Sequence, residues 1–138
     1  MKRETFGSIE SVTLSDFGIV VTAKVDTGAW SGALHCKKIQ LNGENLSYSL
    51  LGETRNLQTT SNFEFRQVRS ANGQLSERYI VPITMIIKGK EYCTNIGLND
   101  RSDMQHEMLL GRKFLIENNI LVDVQLTLDD DTEAEKYL

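Results

Sequence analysis

One proline, one tryptophan, two histidines and two cysteines among 138 residues leave several kinds of protein without their raw material. Cys36 and Cys93 lie far apart and match no zinc-ligand spacing, so they read as free, buried thiols of a reducing cytoplasm rather than a disulfide. His35, Cys36, His106 and Glu107 are the candidate metal ligands, yet there is no His-Glu-x-x-His and no Cys or His pair at finger spacing. No metal or cofactor is expected, and His35 reads as a hydrogen-bonded, partly buried side chain. Cys36 is a poor nucleophile for His35 to activate, since neighbours on a strand point to opposite faces. Met85, Met104 and Met108 are most simply core or cleft filler.

Long apolar runs are missing too. None approaches membrane-spanning length, and the basic residues in Met1 to Ser8 have no apolar stretch behind them. Neither a signal peptide nor a membrane partner is expected, and the expected location is the cytoplasm. Arginines are few and dispersed, which gives no nucleic-acid surface. The formal charge of −4 sits wholly in residues 129–138, where Asp129, Asp130, Asp131, Glu133 and Glu135 face only Lys136. Residues 1–128 balance at 14 acids and 14 bases, so the body is neutral and the acidity belongs to an expected disordered tail. Hydrophobic residues at 40% and charged residues at 25% suit one domain, residues 1–128, with a real core.

What the chain does contain is a series of short apolar segments punctuated by turns. Residues 6–14 alternate as a strand, and Ser15 to Gly18 turn the chain. Residues 18–25 form a second strand, apolar enough for burial on both faces. After a short, small-residue segment from Trp30 to Cys36, residues 38–41 and 45–51 flank Asn42-Gly43, an expected type I′ hairpin turn. Residues 52–62 read as a loop. Residues 63–70 and 74–81 flank Asn72-Gly73, and residues 83–87 and 92–98 flank a third turn at Lys88 to Glu91. Pro82 lacks an N–H and belongs at a strand end or bulge. Met108 to Leu110 is a strand ending at Gly111, a helix runs over about 112–118, and Ile120 to Leu128 is the last strand. Many short strands and one helix point to a closed or nearly closed antiparallel barrel.

Chemistry concentrates in Asp26-Thr27-Gly28-Ala29, which follows the strand 18–25 directly. A carboxylate fixed in a tight turn at a strand end, within reach of backbone N–H groups, is poised for acid/base work. Some eighty residues later, Leu109-Leu110-Gly111-Arg112 ends a strand and opens the helix. This pairing resembles the retropepsin family of aspartic proteases, in which such a turn is followed by a flap, two apolar residues, Gly, and a C-terminal helix. The resemblance implies an all-β, single-lobed barrel with one short C-terminal helix. Carboxylate-only peptide hydrolysis needs two carboxylates sharing one proton, one activating water and one protonating the carbonyl oxygen. With one Asp-Thr-Gly turn per chain, the resemblance demands a homodimer that brings two copies of Asp26 together. Thr27 would hold the two turns together across the axis, Gly28 and Ala29 would leave room for substrate, and Leu110, Gly111 and Arg112 would support the catalytic loop.

The match sharpens across Ala23 to Ala29, Ala33-Leu34-His35, Arg66 to Ser70 with Asn72-Gly73, Arg78, Leu98 to Arg101 with Met104, Met108 to Arg112, and Val122-Asp123. These stretches look like the bacterial and archaeal retropepsin-like aspartic endopeptidases, long labelled ATP-dependent zinc proteases. Members are associated with RimK-type ATP-grasp ligases that add glutamates to proteins, which implies a peptidase that trims such tails, with the ligase as a partner. The hairpin around Asn72-Gly73 falls where retropepsins carry the flap, and it bears Arg66, Arg69 and Arg78. Those arginines are either a solvated surface or the lining of a cleft for an acidic, glutamate-rich peptide. Two departures stand out: Trp30 and Gly32 replace the family's more usual polar residue and serine. With Trp30 in place of the viral enzymes' Asp, the partner of Arg112 is open. Besides the peptidase, two readings stand: a non-catalytic module of the same fold that binds acidic peptides or a ligase, and a zinc-dependent hydrolase.

Overall fold

The computed structural model describes residues 3–53, 56–69 and 73–126. Within these described residues eleven strands and one helix follow one another: β1 (Glu4–Phe6), β2 (Ile9–Leu14), β3 (Ile19–Val25), β4 (Ala33–Asn42), β5 (Asn45–Leu50), β6 (Leu57–Thr60), β7 (Glu64–Arg69), β8 (Leu75–Ile87), β9 (Lys90–Asn99), β10 (Met108–Leu110), α1 (Arg112–Glu117) and β11 (Ile120–Val122). Six of them close a barrel in the order β10-β3-β2-β8-β9-β4, the ring being sealed by β10 against β4. The barrel is mixed rather than purely antiparallel, because β3–β10 and β4–β9 run parallel. Strands β5 and β6 extend the sheet beyond β4, and β7 pairs with the first half of β8.

Period-2 patterning builds the core. Val12 and Leu14 of β2, Val21, Ala23 and Val25 of β3, and Ile83, Met85 and Ile87 of β8 all point inward and are buried. Phe6, Tyr92 and Phe114 meet edge to face, with centroids 6.0 and 5.5 Å apart, and so tie β1, β9 and α1 together. Strand β3 is not buried on both faces as its composition suggested. Its outer side chain Val20 is 64% exposed, because no second layer covers that side of the barrel.

Several other expectations shift. The strand expected over 6–14 breaks at Gly7, whose N–H donates to the buried Glu10 carboxylate at 2.7 Å. Its first part, β1, pairs in parallel with β11. The last strand stops at Val122 rather than Leu128. The Asp123 carboxylate accepts from the Gln125 N–H at 2.9 Å, and its carbonyl accepts from Leu126, which turns the chain. The segment 52–62 is not wholly loop, since Leu57–Thr60 pair with β5 through backbone alone while Leu57 stays 60% exposed. Segments 33–36 and 38–41 join into β4, with a bulge between Lys37 and Gln40 where Lys38 takes positive φ.

The first hairpin turns on Gly43-Glu44, and of that pair only Gly43 has positive φ, so it is not type I′ on Asn42-Gly43. Pro82 lies inside a 13-residue strand. Its missing N–H is tolerated because β7 pairs with β8 up to Ile80 and β2 joins at Met85, leaving Pro82 in the gap. Cys36 is buried, but Cys93 is exposed, contrary to expectation. The acidic segment 129–138 and Asn72 lie outside the described residues.

Candidate active site

Strand β3 delivers the Asp26 turn because its neighbours clamp both sides. The Val25 N–H donates to the Ser8 carbonyl at 2.9 Å and the Asp26 N–H to the Leu110 carbonyl at 2.9 Å. The side chain then organises the turn: Oδ1 accepts the Gly28 N–H at 2.9 Å, and the Asp26 carbonyl accepts from Ala29 at 3.3 Å. Asp26 is half-buried, while Thr27 and Gly28 face outward. A carboxylate held by a backbone donor in this way has a fixed orientation and a defined open side.

Leu110 sits opposite Val25 in the parallel β3–β10 pair, directly beneath the turn. Gly111 follows, pressed so closely on the Asp26 loop that a Cβ would stand 2.6 Å from the Trp30 carbonyl oxygen. The first two N–H groups of α1 would be orphans in an isolated helix. Here the Arg112 N–H donates to the Ala29 carbonyl at 2.7 Å and the Lys113 N–H to the Trp30 carbonyl at 3.1 Å. The helix start therefore staples residues 29–30. Arg112 finds its partners in the same loop: Nη1 donates to the Thr27 carbonyl at 3.1 Å, and the guanidinium lies 5.4 Å from the Trp30 ring centre. Trp30 thus occupies the guanidinium's face, answering what Arg112 pairs with. Gly32 is also required by space, since a Cβ there would come within 2.8 Å of the Leu109 carbonyl oxygen.

Two of the expected arginines meet. Arg66 and Arg78 are directly opposite one another in the β7–β8 pair. Like charges so placed repel unless an anion intervenes. Glu64 supplies one, accepting from Arg66 at 2.8 Å, but both side chains are more than half exposed and the pair is weak. Arg78 is half-buried and lies over Gly97, where a Cβ would touch its Cδ at 3.7 Å. Ala29, Trp30, Arg66, Arg78, Ile96 and Phe114 are among the walls of a cleft of about 910 Å³; Asp26 is beside this cleft and not one of its walls. Gly73, at positive φ, is exposed in the hairpin connection outside the cleft walls. For Arg69 the backbone is placed, opposite Leu75.

Arg101 is the residue that sequence reasoning passed over. It lies in Asn99 to Asp103, a polar stretch with no periodicity, and only the family resemblance singled it out. Its Nε donates to the His106 carbonyl at 3.3 Å, and its backbone N–H donates to His35 Nδ1 at 2.8 Å. Burial and the neighbouring Arg78 push its guanidinium below the ordinary arginine range, while Asp26 acts in the opposite sense. Asp26, Arg78 and Arg101 thus share one electrostatic neighbourhood. Of the candidate metal ligands, His35 commits Nδ1 to Arg101, and burial pushes the Cys36 thiol up to about 12. Among the described residues no three His, Cys, Asp or Glu side chains converge on one point.

A closed barrel carrying an Asp-Thr-Gly turn seated on an apolar strand-Gly-helix segment defines the retropepsin-like class. The sequence matches the RimB-like family, described as retropepsin-like aspartic endopeptidase RimB, over residues 5–131, and the chain belongs to that family. It is 28% identical over 144 residues to a probable alpha-L-glutamate ligase of Shewanella halifaxensis, covering 94% of this chain and 31% of that protein. A second protein of the same name from Shewanella pealeana is 28% identical over 127 residues, 85% of this chain and 28% of that one. The chain therefore spans less than a third of these relatives. A Legionella pneumophila protein of unknown function shares the fold, with a TM-score of 0.73 and 25% identity across 93% of this chain and 98% of that one. No helix among the described residues is long and apolar enough to cross a membrane.

Proposed function

We propose that the protein is an aspartic peptidase that works as a homodimer and removes glutamates from acidic protein tails. The observation that carries this reading is the Asp26 turn, fixed by Gly28 and Leu110 while Thr27 and Gly28 remain exposed. One carboxylate per chain cannot be both base and acid, so two subunits must bring their outward-facing turns together, with Thr27 at the contact. In the dyad one Asp26 carboxylate takes a proton from water as it attacks the scissile carbonyl, and the protonated partner donates to the carbonyl oxygen.

The substrate class follows from charge. Arg66 and Arg78 oppose each other across a hairpin, Arg101 adds a third guanidinium nearby, and the exposed Glu64 is an easily exchanged counter-ion. A run of substrate carboxylates is the anion such a set can hold. The glutamate-ligase name of the Shewanella relatives supports a role beside a ligase that adds what this chain removes. A second reading, a non-catalytic module that binds acidic peptides or a ligase, draws on the cleft having Arg66 and Arg78 but not Asp26 among its walls.

The test is cleavage of a protein bearing a C-terminal oligo-glutamate extension, followed by mass spectrometry, for the wild-type chain and Asp26→Asn, with and without chelator. The expected result is loss of glutamates with wild type alone, unaffected by chelator and abolished by dilution to monomers. Binding of the tail by both proteins without turnover would replace the peptidase by the binding module.

A further inference from the structure

His35 sits where four segments meet. Its N–H donates to the Glu107 carbonyl at 2.8 Å, its carbonyl accepts from Leu51 at 2.9 Å, and it stands opposite Asn99 in the β4–β9 pair. Its ring, half-buried, accepts the Arg101 N–H at Nδ1, 2.8 Å away. A backbone N–H can only donate, so this bond requires a lone pair on Nδ1 and places the ring proton on Nε2. The bond to Arg101 is therefore made by the Nε2–H tautomer of the ring. The proposed chemistry calls on Arg101 as a third guanidinium but gives His35 no part.

Resting on the peptidase reading above, we infer that His35 is a positioning residue for the Asp26 site: its neutral Nδ1 anchors the turn that follows β9 and so fixes the Arg101 guanidinium on the His106 carbonyl, beside Arg78 and Asp26. Protonating the ring undoes this. An Nδ1–H would face the Arg101 N–H donor to donor, while the carboxylate Oδ1 of Asp100 lies 3.9 Å away. The ring would turn toward Asp100 and let Arg101 go. Asp100 is ready for that role: the Ser102 hydroxyl and N–H, then Lys37 and His35, hold its carboxyl below the usual carboxylate range. It is thus anionic throughout the range in which histidines titrate.

The charged residues on the elements packed against His35 are Lys37 on β4, Asp100 and Arg101 in the turn after β9, His106 and Glu107 leading into β10, whose Glu107 carbonyl accepts the His35 N–H, and Glu53 after β5. The Gly52 backbone closes the remaining side, since a Cβ there would stand 3.3 Å from Nε2. Arg101 therefore supplies its charge to substrate above the histidine transition and withdraws it below.

The experiment measures amide-exchange protection at Arg101 by NMR on the full chain between about pH 5 and 8, together with turnover on a peptide ending in oligo-glutamate. Two variants accompany wild type. In His35→Asn, Oδ1 can replace Nδ1 as acceptor but does not titrate; in His35→Phe the acceptor is gone. Protection at Arg101 is expected to collapse in wild type as pH falls, to persist in His35→Asn, and to be absent in His35→Phe at all pH values. Turnover should follow: the acid limb disappears in His35→Asn, which outperforms His35→Phe by about tenfold. Protection that does not change with pH in wild type, or an acid limb retained by His35→Asn, overturns the inference. An inert wild-type chain would overturn the peptidase reading instead, and the anchoring of Arg101 by His35 would then be decided by the exchange profile alone.

Discussion

Replacing Gly111 by alanine should strike the Asp26 loop through space alone. The residue caps α1 with φ −91° and ψ 174°, an extended conformation open to any side chain, so no backbone strain is involved. A new Cβ would instead lie 2.6 Å from the Trp30 carbonyl oxygen and 2.7 and 2.8 Å from the carbonyl carbon and oxygen of Ser31. All three are backbone atoms, so relief to ordinary contact distance requires either loop or helix to retreat by roughly 0.5–1 Å. Retreat stretches the two bonds that join them, Arg112 N–H to Ala29 at 2.7 Å and Lys113 N–H to Trp30 at 3.1 Å. Overpacking costs about 1–3 kcal/mol and the weakened bonds about 1 more, which together lower stability by about 2–4 kcal/mol. At about 4 °C per kcal/mol for a domain of this size, Tm should fall by about 8–16 °C in a circular-dichroism melt. Turnover measured well below that transition should fall as well, because the displaced residues are the Asp26 loop itself. A Tm within about 2 °C of wild type, with turnover unchanged, would show that helix and loop are not pressed together as described.

Arg112→Lys keeps the charge but loses the planar fork that reaches the Thr27 carbonyl while covering Trp30. A loss of about 1 kcal/mol is expected, together with a shift in the emission of Trp30, the chain's single tryptophan; an unchanged spectrum counts against the contact. Burial raises the Cys36 thiol from 9.0 to about 12 and, with Cys36 and Asp16 nearby, the Tyr48 hydroxyl from 10.0 to about 12. Both folded values lie above the unfolded ones, so their stabilisation is complete below about pH 9. It is lost as pH rises toward 12, at about 1.4 kcal/mol per pH unit for each group. Denaturant melts across that window should steepen accordingly, and Cys36→Ala should flatten the slope; identical slopes would refute the assignment. Removing residues 129–138, a segment of net charge −4, should raise turnover on acidic substrate by ending competition for Arg66 and Arg78, and an equal rate discards that competition.

The barrel was legible because its signals are local. Alternation in β2, Lys88-Gly89 at positive φ between β8 and β9, and the apolar residues of β10 each act within a few positions. What escaped depends on partners distant in the chain. Strand β6 has no apolar face of its own and exists because β5 offers a free edge. Pro82 stands inside β8 because two neighbouring strands, β7 and β2, stop short of it from opposite ends. The parallel pairs β3–β10 and β4–β9 join segments more than sixty residues apart, which no turn signal can report.

The site divides along the same line. Asp26, Thr27 and Gly28 with Leu110, Gly111 and Arg112 form two contiguous motifs, and their meeting follows once β3 and β10 pair. Trp30, a departure from the family pattern, presents its ring to the Arg112 guanidinium, so a cation–π contact stands where the viral enzymes have an ion pair. Arg101 could not be found by pattern at all. Its position is set by a backbone hydrogen bond to His35, 66 residues earlier, and by the carbonyl of His106. Yet the proposed acidic substrate calls for such a charge. Arg66 and Arg78 repel each other across the hairpin, and the exposed Glu64 offsets only one of them. A half-buried third guanidinium beside Asp26 adds to a positive field that substrate carboxylates relieve on binding, whereas a neutral peptide would leave it unrelieved. On the proposed reading, selectivity for acidic chains would follow from this repulsion, and any change that removes Arg101 should weaken it more than it weakens the fold.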